Sequence, residues 1–416
     1  MAALQQPASQ AVGAGVEATV SLLAAMAFVL SLGYGVLLPL APSYVAGLLP
    51  GALAADVARH IGWMGGTYTF ALFLFASWWG RRSDAWGRAR VLQAGFGLFL
   101  LGTLVGALAP TLPIAYAGRV LAGAGAAAVV PSAQAYISDV STATQRSRRF
   151  VVVGAAVFAG VLLGPPAGTW LASTGWTGAP AQSGGTPLLA IVVLGMPLLL
   201  LAFVALPRAR PSGFGAAALR MGRARKHFVS ASLLLGAIGS FAAGTFEVGF
   251  SLFAGQKLGM GAPAMAAMFV TCGIAMLAAQ GLLLLDAVRA RINERWVAAA
   301  FAASAVSLGF AAYVPDAVGL GLLILAAGTG IGLIGPVLSY ELLERDRTDA
   351  GAVLGRQAAA GNLGQALGST LAGALFVLHP LAPFGAAAIV LLAGGAVALR
   401  WWGVAREGEL RAAAGR

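Results

Sequence analysis

Long apolar runs separated by short polar links dominate the 416-residue chain. A helix needs roughly 20 apolar residues to cross the hydrocarbon core of a bilayer. The runs are continuous, whereas the strands of outer-membrane barrels alternate and need only about ten residues. The pattern predicts twelve membrane-spanning helices, at about 17–41, 61–79, 91–109, 112–136, 150–173, 187–206, 228–254, 262–285, 296–314, 317–342, 354–378 and 381–402.

The composition agrees with a membrane protein. Hydrophobic residues make up 59% of the chain and charged residues 10%. A soluble domain usually has about 25% charged residues, so this chain has too few to cover a soluble surface. We therefore expect an all-α integral membrane protein surrounded by lipid.

The formal net charge of +12 does not indicate a nucleic-acid partner, because the positive residues are sorted by side. Of the 26 lysines and arginines, 23 fall in the loops that follow even-numbered helices or in the C-terminal segment. Arg59 and Lys257 fall on the other side, and Arg119 falls inside helix 4. The positive-inside rule then predicts a multi-pass protein of a bacterial inner membrane with both termini in the cytoplasm.

A basic segment rich in glycine and proline, 207–226, divides the helices six and six, as a linker would. The predicted organisation is a flexible cytoplasmic N-terminal tail, an N-terminal six-helix bundle, the cytoplasmic linker, a C-terminal six-helix bundle and a cytoplasmic tail. Their bounds are 1–16, 17–206, 207–226, 227–404 and 405–416.

The two halves also resemble each other in sequence. "AGAGAAAVVP" at 122–131 matches "AGTGIGLIGP" at 327–336, and the glycines of helix 5 recur in helix 11 at nearly the same offset. Glycine-rich helices can match by chance, since small residues recur at helix contacts. The shared offset favours a duplicated six-helix unit, which would place a substrate site between the halves near the bilayer midplane.

Residues 80–90 read "GRRSDAWGRAR", between helices 2 and 3. Gly80 and Gly87 would permit a tight turn and close helix approach. We expect Asp84 near the start of helix 3, where the helix dipole favours a negative charge, and paired with a neighbouring arginine.

This segment resembles the signature loop of the major facilitator superfamily, although Ala85 stands in place of the usual arginine. "SDVSTATQRSRR" at 138–149 is similar to the family's loop after helix 4. The resemblance implies a latch that changes with conformation, formed by Gly80, Asp84, Gly87, Arg88, Arg90, Asp139 and Arg146.

Helix 5 contains "AGVLLGPPAG", which resembles the family's antiporter motif except that Thr169 replaces the last glycine. Glycines four residues apart let another helix approach closely, and a proline permits a kink. In the family this motif marks exporters. The matching residues are Gly160, Gly164, Pro165 and Gly168.

Two charged residues fall well inside predicted spans, Glu247 in helix 7 and Arg119 in helix 4. Ionisable groups in a membrane are costly and usually functional. "RVLAGAGAA" around Arg119 resembles a helix-4 motif to which the family assigns a role in proton coupling. We interpret Glu247 and Arg119 as the proton-coupling pair. The alternatives are a structural or shallow Glu247, and an Arg119 that snorkels to the surface.

Aromatic and neutral polar residues in helices 1, 4, 7 and 10 would suit an amphipathic organic solute. The predicted substrate contacts are Tyr34, Gln134, Phe246, Phe250, Ser339 and Tyr340. The amides of Gln280, Asn362 and Gln365 are candidates for the same surface or for hydrogen bonds between helices.

The resemblance implies the drug:proton antiporter branch of the superfamily, working as a monomer by alternating access. The sequence leaves two alternatives open: an exporter of an endogenous metabolite such as a siderophore or amino acid, and a passive facilitator. An enzyme is disfavoured, because the three histidines form no metal-spaced cluster and no Walker A sequence is present. We expect no cofactor and no metal.

Overall fold

The computed structural model describes residues 6–174, 185–206, 223–283, 285–289, 291–311, 313–314, 317–345, 350–402 and 404. Most of the predicted linker and the whole predicted C-terminal tail lie outside these ranges.

Within these ranges the regular structure is helical throughout. The α-helices are α1 (Gln6–Val36), α2 (Ala41–Leu48), α3 (Ala54–Trp86), α4 (Arg88–Ala107), α5 (Leu112–Asp139), α6 (Ala143–Ser173), α7 (Gly185–Ala205), α8 (Arg223–Gln256), α9 (Ala262–Leu282), α10 (Asp286–Arg289), α11 (Glu294–Ala311), α12 (Ala317–Arg345), α13 (Ala350–Leu378) and α14 (Ala382–Val397). A π-helical turn, Ala398–Trp402, continues α14.

Twelve of these helices coincide with the twelve predicted spans, and α2 and α10 are short additions. The all-α membrane fold is thereby confirmed. In the described ranges, nine of the twelve are long and apolar enough to cross a membrane by length and composition. The other three, α3, α11 and α13, contain more polar residues.

The first helix, α1, begins at Gln6, eleven residues before the predicted first span. Pro7 lies in the first turn, where a proline is tolerated since that N–H has no helical partner. At its other end α1 stops at Val36, three residues before Pro39, which cannot continue a helix.

The chain forms two compact units that differ in part from the predicted bundles. Unit 1 contains Met1–Tyr44 and Leu74–Gly215, and unit 2 contains Val45–Phe73 and Ala216–Arg416. Val45–Phe73 therefore belongs to unit 2 although it lies in the N-terminal half of the sequence. The cause is a tight crossing of α3 on α13, in which a Cβ added at Gly62 would lie 2.6 Å from the Ser369 carbonyl oxygen.

One helix pair of unit 1, which we call the α1–α6 seam, has nearly touching backbones. A Cβ at Gly164 would lie 2.6 Å from Cα of Gly35, and a Cβ at Gly35 would lie 2.8 Å from the carbonyl oxygen of Val161. Only glycine allows this separation, so the seam depends on where the glycines stand along both helices.

Unit 2 contains a similar pair, which we call the α8–α13 seam. A Cβ at Gly244 of α8 would lie 2.5 Å from the carbonyl oxygen of Gln365 on α13. Gly364 and Gly368 of α13 also face the backbone of α8, at Ala237 and Phe241. Both units thus use glycine to bring two long helices together.

Candidate transport site

Arg88, the first residue of α4, is the centre of the predicted latch in unit 1. Its guanidinium donates to Asp84 Oδ1 at 2.6 Å, to Asp139 Oδ2 at 3.3 Å and to the hydroxyl of Ser83 at 3.0 Å. Its side chain is 20% exposed, so water screens these pairs only in part. The cluster joins the ends of α3 and α5 to the start of α4.

Two details of the latch were predicted wrongly. Asp84 lies in the last turn of α3, because that helix continues to Trp86, and α4 starts only at Arg88. A helix C-terminus disfavours a negative charge, so Asp84 is stabilised by Arg88 and not by a helix dipole. Gly80 is helical and exposed, and an added Cβ there would meet no atom within 4 Å, so it provides neither a turn nor a close approach.

Gly87 behaves as predicted. Its φ of 92° is in the region that favours glycine, and it forms the break between α3 and α4. Arg90 is exposed on α4, and Arg146 donates to the backbone oxygen of Ser138 at 3.2 Å. Arg88, and not Arg90 or Arg146, therefore pairs with Asp84 and Asp139.

The glycines of the predicted antiporter motif all face α1. Gly160 contacts the Phe28 carbonyl, and a Cβ at Gly168 would lie 2.5 Å from the carbonyl oxygen of Val36. Pro165 is buried inside α6, and its Cδ would lie 3.2 Å from a Cβ at Gly35. The motif is therefore the α6 side of the α1–α6 seam.

Arg119 is the eighth residue of α5 and is half-buried. Its charge acts on Tyr44, which follows α1 in unit 1 and donates its hydroxyl proton to the carbonyl oxygen of Gly106. Burial raises the pKa of Tyr44 to about 12, and the positive charge of Arg119 opposes part of that rise. Tyr44 therefore stays a neutral hydrogen-bond donor at ordinary pH.

Glu247 lies in α8 inside the apolar span Lys226–Gln256 and is half-buried. Its Oε2 accepts a hydrogen bond of 3.1 Å from Nε2 of Gln365 on α13. The sequence left Gln365 as a candidate either for the substrate surface or for a hydrogen bond between helices. In the structure Gln365 makes a hydrogen bond between α13 and α8. This acid–amide pair lies on the α8–α13 seam, three residues beyond Gly244.

The two predicted aromatic contacts beside Glu247 are more buried than a solute-lining position requires. Phe246 is 7% exposed and stacks on Phe250, with ring centroids 5.8 Å apart. Phe250 is fully buried and meets Phe269 of α9 edge-on at 5.3 Å. The Phe250 ring packs inside unit 2 in this structure.

The other predicted substrate contacts are half-buried: Tyr34 on α1, Gln134 on α5, and Ser339 and Tyr340 on α12. The Ser339 hydroxyl is 3.0 Å from Oε1 of Gln357 and 2.9 Å from the Gly335 carbonyl oxygen. Ser339 thus takes part in a polar contact between α12 and α13.

Gln280 has a structural partner that explains its place in an apolar helix. Pro336 has no N–H, so the Gly332 carbonyl four residues earlier lacks its helical donor. Nε2 of Gln280 on α9 donates to that carbonyl oxygen at 3.2 Å. The Gln280 side chain thus stabilises the part of α12 that contains Pro336.

The sequence did not reveal the role of Arg149. Its guanidinium is 7% exposed and donates to Glu17 Oε1 from Nε at 3.2 Å and from Nη2 at 2.8 Å, while Nη1 reaches the hydroxyl of Ser141 at 2.7 Å. Glu17 and Arg149 are 132 residues apart, so no local spacing relates them. Arg149, in the second turn of α6, thus joins α6 to Glu17 in the third or fourth turn of α1.

Cys272, the only cysteine in the chain, is buried in α9. Its sulfur lies close to Gly328 of α12, where an added Cβ would collide with it. Among the described residues no group of three or more His, Cys, Asp or Glu side chains could hold a metal ion.

The sequence profile of the Major Facilitator Superfamily matches residues 23–345. The chain belongs to the major facilitator superfamily, and it is therefore a transporter and not an enzyme.

Two curated relatives match nearly the whole chain. Multidrug resistance protein 2 of Bacillus subtilis (strain 168) is 25% identical over 379 residues, covering 90% of this chain and 92% of the relative. Multidrug resistance protein 1 of the same organism is 23% identical and covers 92% and 96%. The class C tetracycline resistance protein of Escherichia coli is 36% identical over 42% of this chain and 41% of its own length.

Solved structures show the same fold. The crystal structure of a D-xylose–proton symporter matches with a TM-score of 0.76 at 16% identity, covering 93% of this chain and 98% of that one. A bacterial homologue of the human lysosomal transporter Spinster, in an inward-facing and occupied conformation, matches with a TM-score of 0.71 at 14% identity, covering 94% and 95%. At these identities the likeness concerns the fold alone.

Proposed function

We propose that the protein exports small amphipathic organic compounds in exchange for protons, by alternating access. We place it in a bacterial inner membrane with both termini in the cytoplasm, as the sorting of its arginines supports. The names of its relatives, multidrug and tetracycline resistance proteins, support export of drug-like compounds. The resemblance of the α6 glycine motif to the family's antiporter motif supports export as the direction of transport.

The observation on which proton coupling rests is the pair of Glu247 and Gln365 inside a membrane span. A carboxyl group in a low-dielectric span binds or releases its proton according to nearby charges, donors and water. The amide of Gln365 holds the carboxyl group in one orientation by donating to Oε2. Glu247 is our proposed proton carrier, with Arg119 as the cationic residue of the coupling mechanism.

Of the predicted substrate contacts, we propose the half-buried Tyr34, Gln134 and Tyr340. An aromatic ring with a hydroxyl tip offers both apolar area and a hydrogen bond, which suits an amphipathic compound. We do not include Phe250, since its ring is fully buried in the aromatic cluster of unit 2.

The test is transport by the purified protein in liposomes that contain a pH-sensitive dye. In liposomes with the wild-type protein, transport of a lipophilic drug should change the luminal pH, and the change should be proportional to the amount of drug transported. Glu247→Gln should abolish this proton movement and leave drug binding, because the amide keeps the shape but has no titratable proton.

Asp56→Asn is the matched control, since Asp56 pairs with Arg59 at 2.8 Å and both side chains are more than 40% exposed. Such surface pairs contribute little, so this variant should transport like the wild type. If drug transport by Glu247→Gln had the same pH dependence as transport by the wild type, Glu247 would be excluded as the proton carrier. Transport without proton movement in the wild type would indicate a passive facilitator, and a response to metabolites but not to drugs would indicate a dedicated exporter.

A further inference from the structure

The end of α3 contains an arginine that contacts two tryptophans, whose rings also meet each other edge to face with centroids 6.2 Å apart. The Arg82 guanidinium carbon lies 4.5 Å from the ring centroid of Trp86 and 5.1 Å from that of Trp78. The three residues are four positions apart, so they follow one another along one face of the helix. Cation–π attraction to both indoles fixes the guanidinium near the helix surface.

This face continues an apolar surface. Leu74, one turn earlier on the same face, is 56% exposed, and Trp86 itself is 42% exposed. In a membrane protein a large apolar side chain exposed along a span faces lipid. The order along the helix is therefore an apolar residue, a tryptophan, an arginine and a second tryptophan.

The position along the helix corresponds to the lipid headgroups. α3 has 33 residues and is about 50 Å long, whereas the hydrocarbon core is about 30 Å thick. Its last turns therefore extend beyond the hydrocarbon. Tryptophan concentrates at this boundary because its ring is apolar and its N–H is polar.

The guanidinium of Arg82 has unused hydrogen-bonding capacity. The two indole planes are nearly perpendicular, so the guanidinium can lie flat on at most one of them. Its five N–H donors lie in the guanidinium plane. Within the described part of the chain these groups have no hydrogen-bond or ion-pair partner, whereas the neighbouring Asp84 already pairs with Arg88. Arg81 and Arg90, both exposed nearby, add positive charge to the same end of the protein.

We propose that Trp78, Arg82 and Trp86 form a binding site for the headgroup phosphate of an anionic phospholipid. A guanidinium binds two phosphate oxygens through parallel hydrogen bonds, and the contacts with the two indoles restrict its position in advance. A phospholipid places its phosphate at headgroup level and its acyl chains along Leu74. The surplus of positive charge favours a headgroup with net negative charge over a zwitterionic one. This proposal goes beyond the transport function and does not depend on proton coupling.

The experiment measures lipid binding to the full-length protein in detergent by native mass spectrometry. Phosphatidylglycerol and phosphatidylcholine are added in separate titrations. The wild type should bind phosphatidylglycerol more tightly. Arg82→Gln should weaken that binding about tenfold, because it removes the charge-assisted hydrogen bonds.

Arg81→Gln is the matched control, since it removes the same charge from the adjacent residue without touching either indole contact. It should change the affinity less than about threefold, which corresponds to one surface interaction. Arg82→Lys keeps the charge but loses the planar fork, so it should fall between the wild type and Arg82→Gln. Size-exclusion profiles establish that each variant is folded.

Several results would overturn the proposal. Equal losses in Arg81→Gln and Arg82→Gln would mean that only total charge matters. Equal affinity for the two lipids would exclude recognition of an anionic headgroup. Displacement of bound phosphatidylglycerol by millimolar inorganic phosphate would mean that the site takes a soluble anion and not a lipid.

Discussion

The two glycine seams have the same backbone contacts but different side chains. Gly35 of α1 faces the carbonyl of Val161, and Gly244 of α8 faces the carbonyl of Gln365. Val161 and Gln365 are 204 positions apart, which is also the separation of Gly160 from Gly364. Gly35 and Gly244 are 209 positions apart, so the same contacts recur with a slightly different offset on each helix, which favours a duplicated six-helix unit.

The difference lies in the residues around these glycines. Three positions beyond Gly35 the chain has Leu38, whereas three positions beyond Gly244 it has Glu247. The α1–α6 seam has Val161 where the α8–α13 seam has Gln365. At these two positions one copy of the scaffold therefore has apolar residues, whereas the other has an acid and its hydrogen-bond donor. A shared backbone can thus serve packing in one unit and, as we propose, chemistry in the other.

The largest expected effect tests the shared part of the comparison. Gly35→Ala and Gly244→Ala each place a methyl group against a backbone oxygen, at 2.8 Å and 2.5 Å. Each should lower the free energy of unfolding by about 1–3 kcal/mol, because the helices must separate. The measurement is the thermal unfolding midpoint in detergent.

Gly15→Ala on α1 and Gly255→Ala on α8 are the controls, since an added Cβ at either position meets no atom within 4 Å. Alanine favours a helix over glycine by about 1 kcal/mol, so these variants should be neutral or more stable. If Gly35→Ala behaved like Gly15→Ala while Gly244→Ala were destabilised, the two seams would not be equivalent.

The next effect tests the difference between the seams. Gln365→Val gives α13 the residue that α6 has at the equivalent position, and it removes the hydrogen bond to Glu247. A hydrogen bond to a charged group contributes about 1.5–3 kcal/mol. Its loss should therefore change the pH midpoint of transport.

Gln280→Val is its control, because it removes an amide hydrogen bond to Gly332 in the same unit without touching Glu247. This variant should lower the free energy of unfolding and leave the pH midpoint of transport unchanged. A pH profile that stays the same in Gln365→Val would mean that Gln365 only packs the seam.

The smallest expected effect concerns the latch of unit 1. Arg88→Gln removes the pairs to Asp84 and Asp139 and should cost about 1 kcal/mol, since both acids are partly exposed. High salt should shrink the difference from the wild type. Arg90→Gln, an exposed arginine of the same signature loop, should have no measurable effect on the thermal midpoint, and equal losses in the two variants would contradict the assignment of Arg88.

The sequence was sufficient to predict the spans because about twenty apolar residues in a row have few other uses. It also identified Glu247, since an acid in such a run is conspicuous whatever its partner. It did not predict the pairing of Glu17 with Arg149, because two residues far apart in the chain meet only after α1 and α6 have packed. The Trp78–Arg82–Trp86 arrangement could have been found, since its spacing is helical, but Arg82 was counted only among the 23 positive residues of one side.

The misplacement of Asp84 has a local cause. A glycine-containing polar loop suggested a short link between two helices, with Asp84 beyond the first of them. In the structure α3 continues through Arg81, Arg82, Ser83 and Asp84 to Trp86. Gly87 makes the break between α3 and α4. Polar residues are compatible with a helix that extends past the hydrocarbon, so hydropathy marks the edge of the membrane and not the end of the helix.

The single cysteine offers a practical route to measurements of motion. Thiol reagents need access to the sulfur, and the sulfur of Cys272 is enclosed between α9 and α12 next to Gly328. Spin labels or fluorophores attached to cysteines introduced at exposed positions should therefore report on those positions with little background labelling. The wild-type chain can serve directly as the starting background for distance measurements during transport, without first replacing its own thiol.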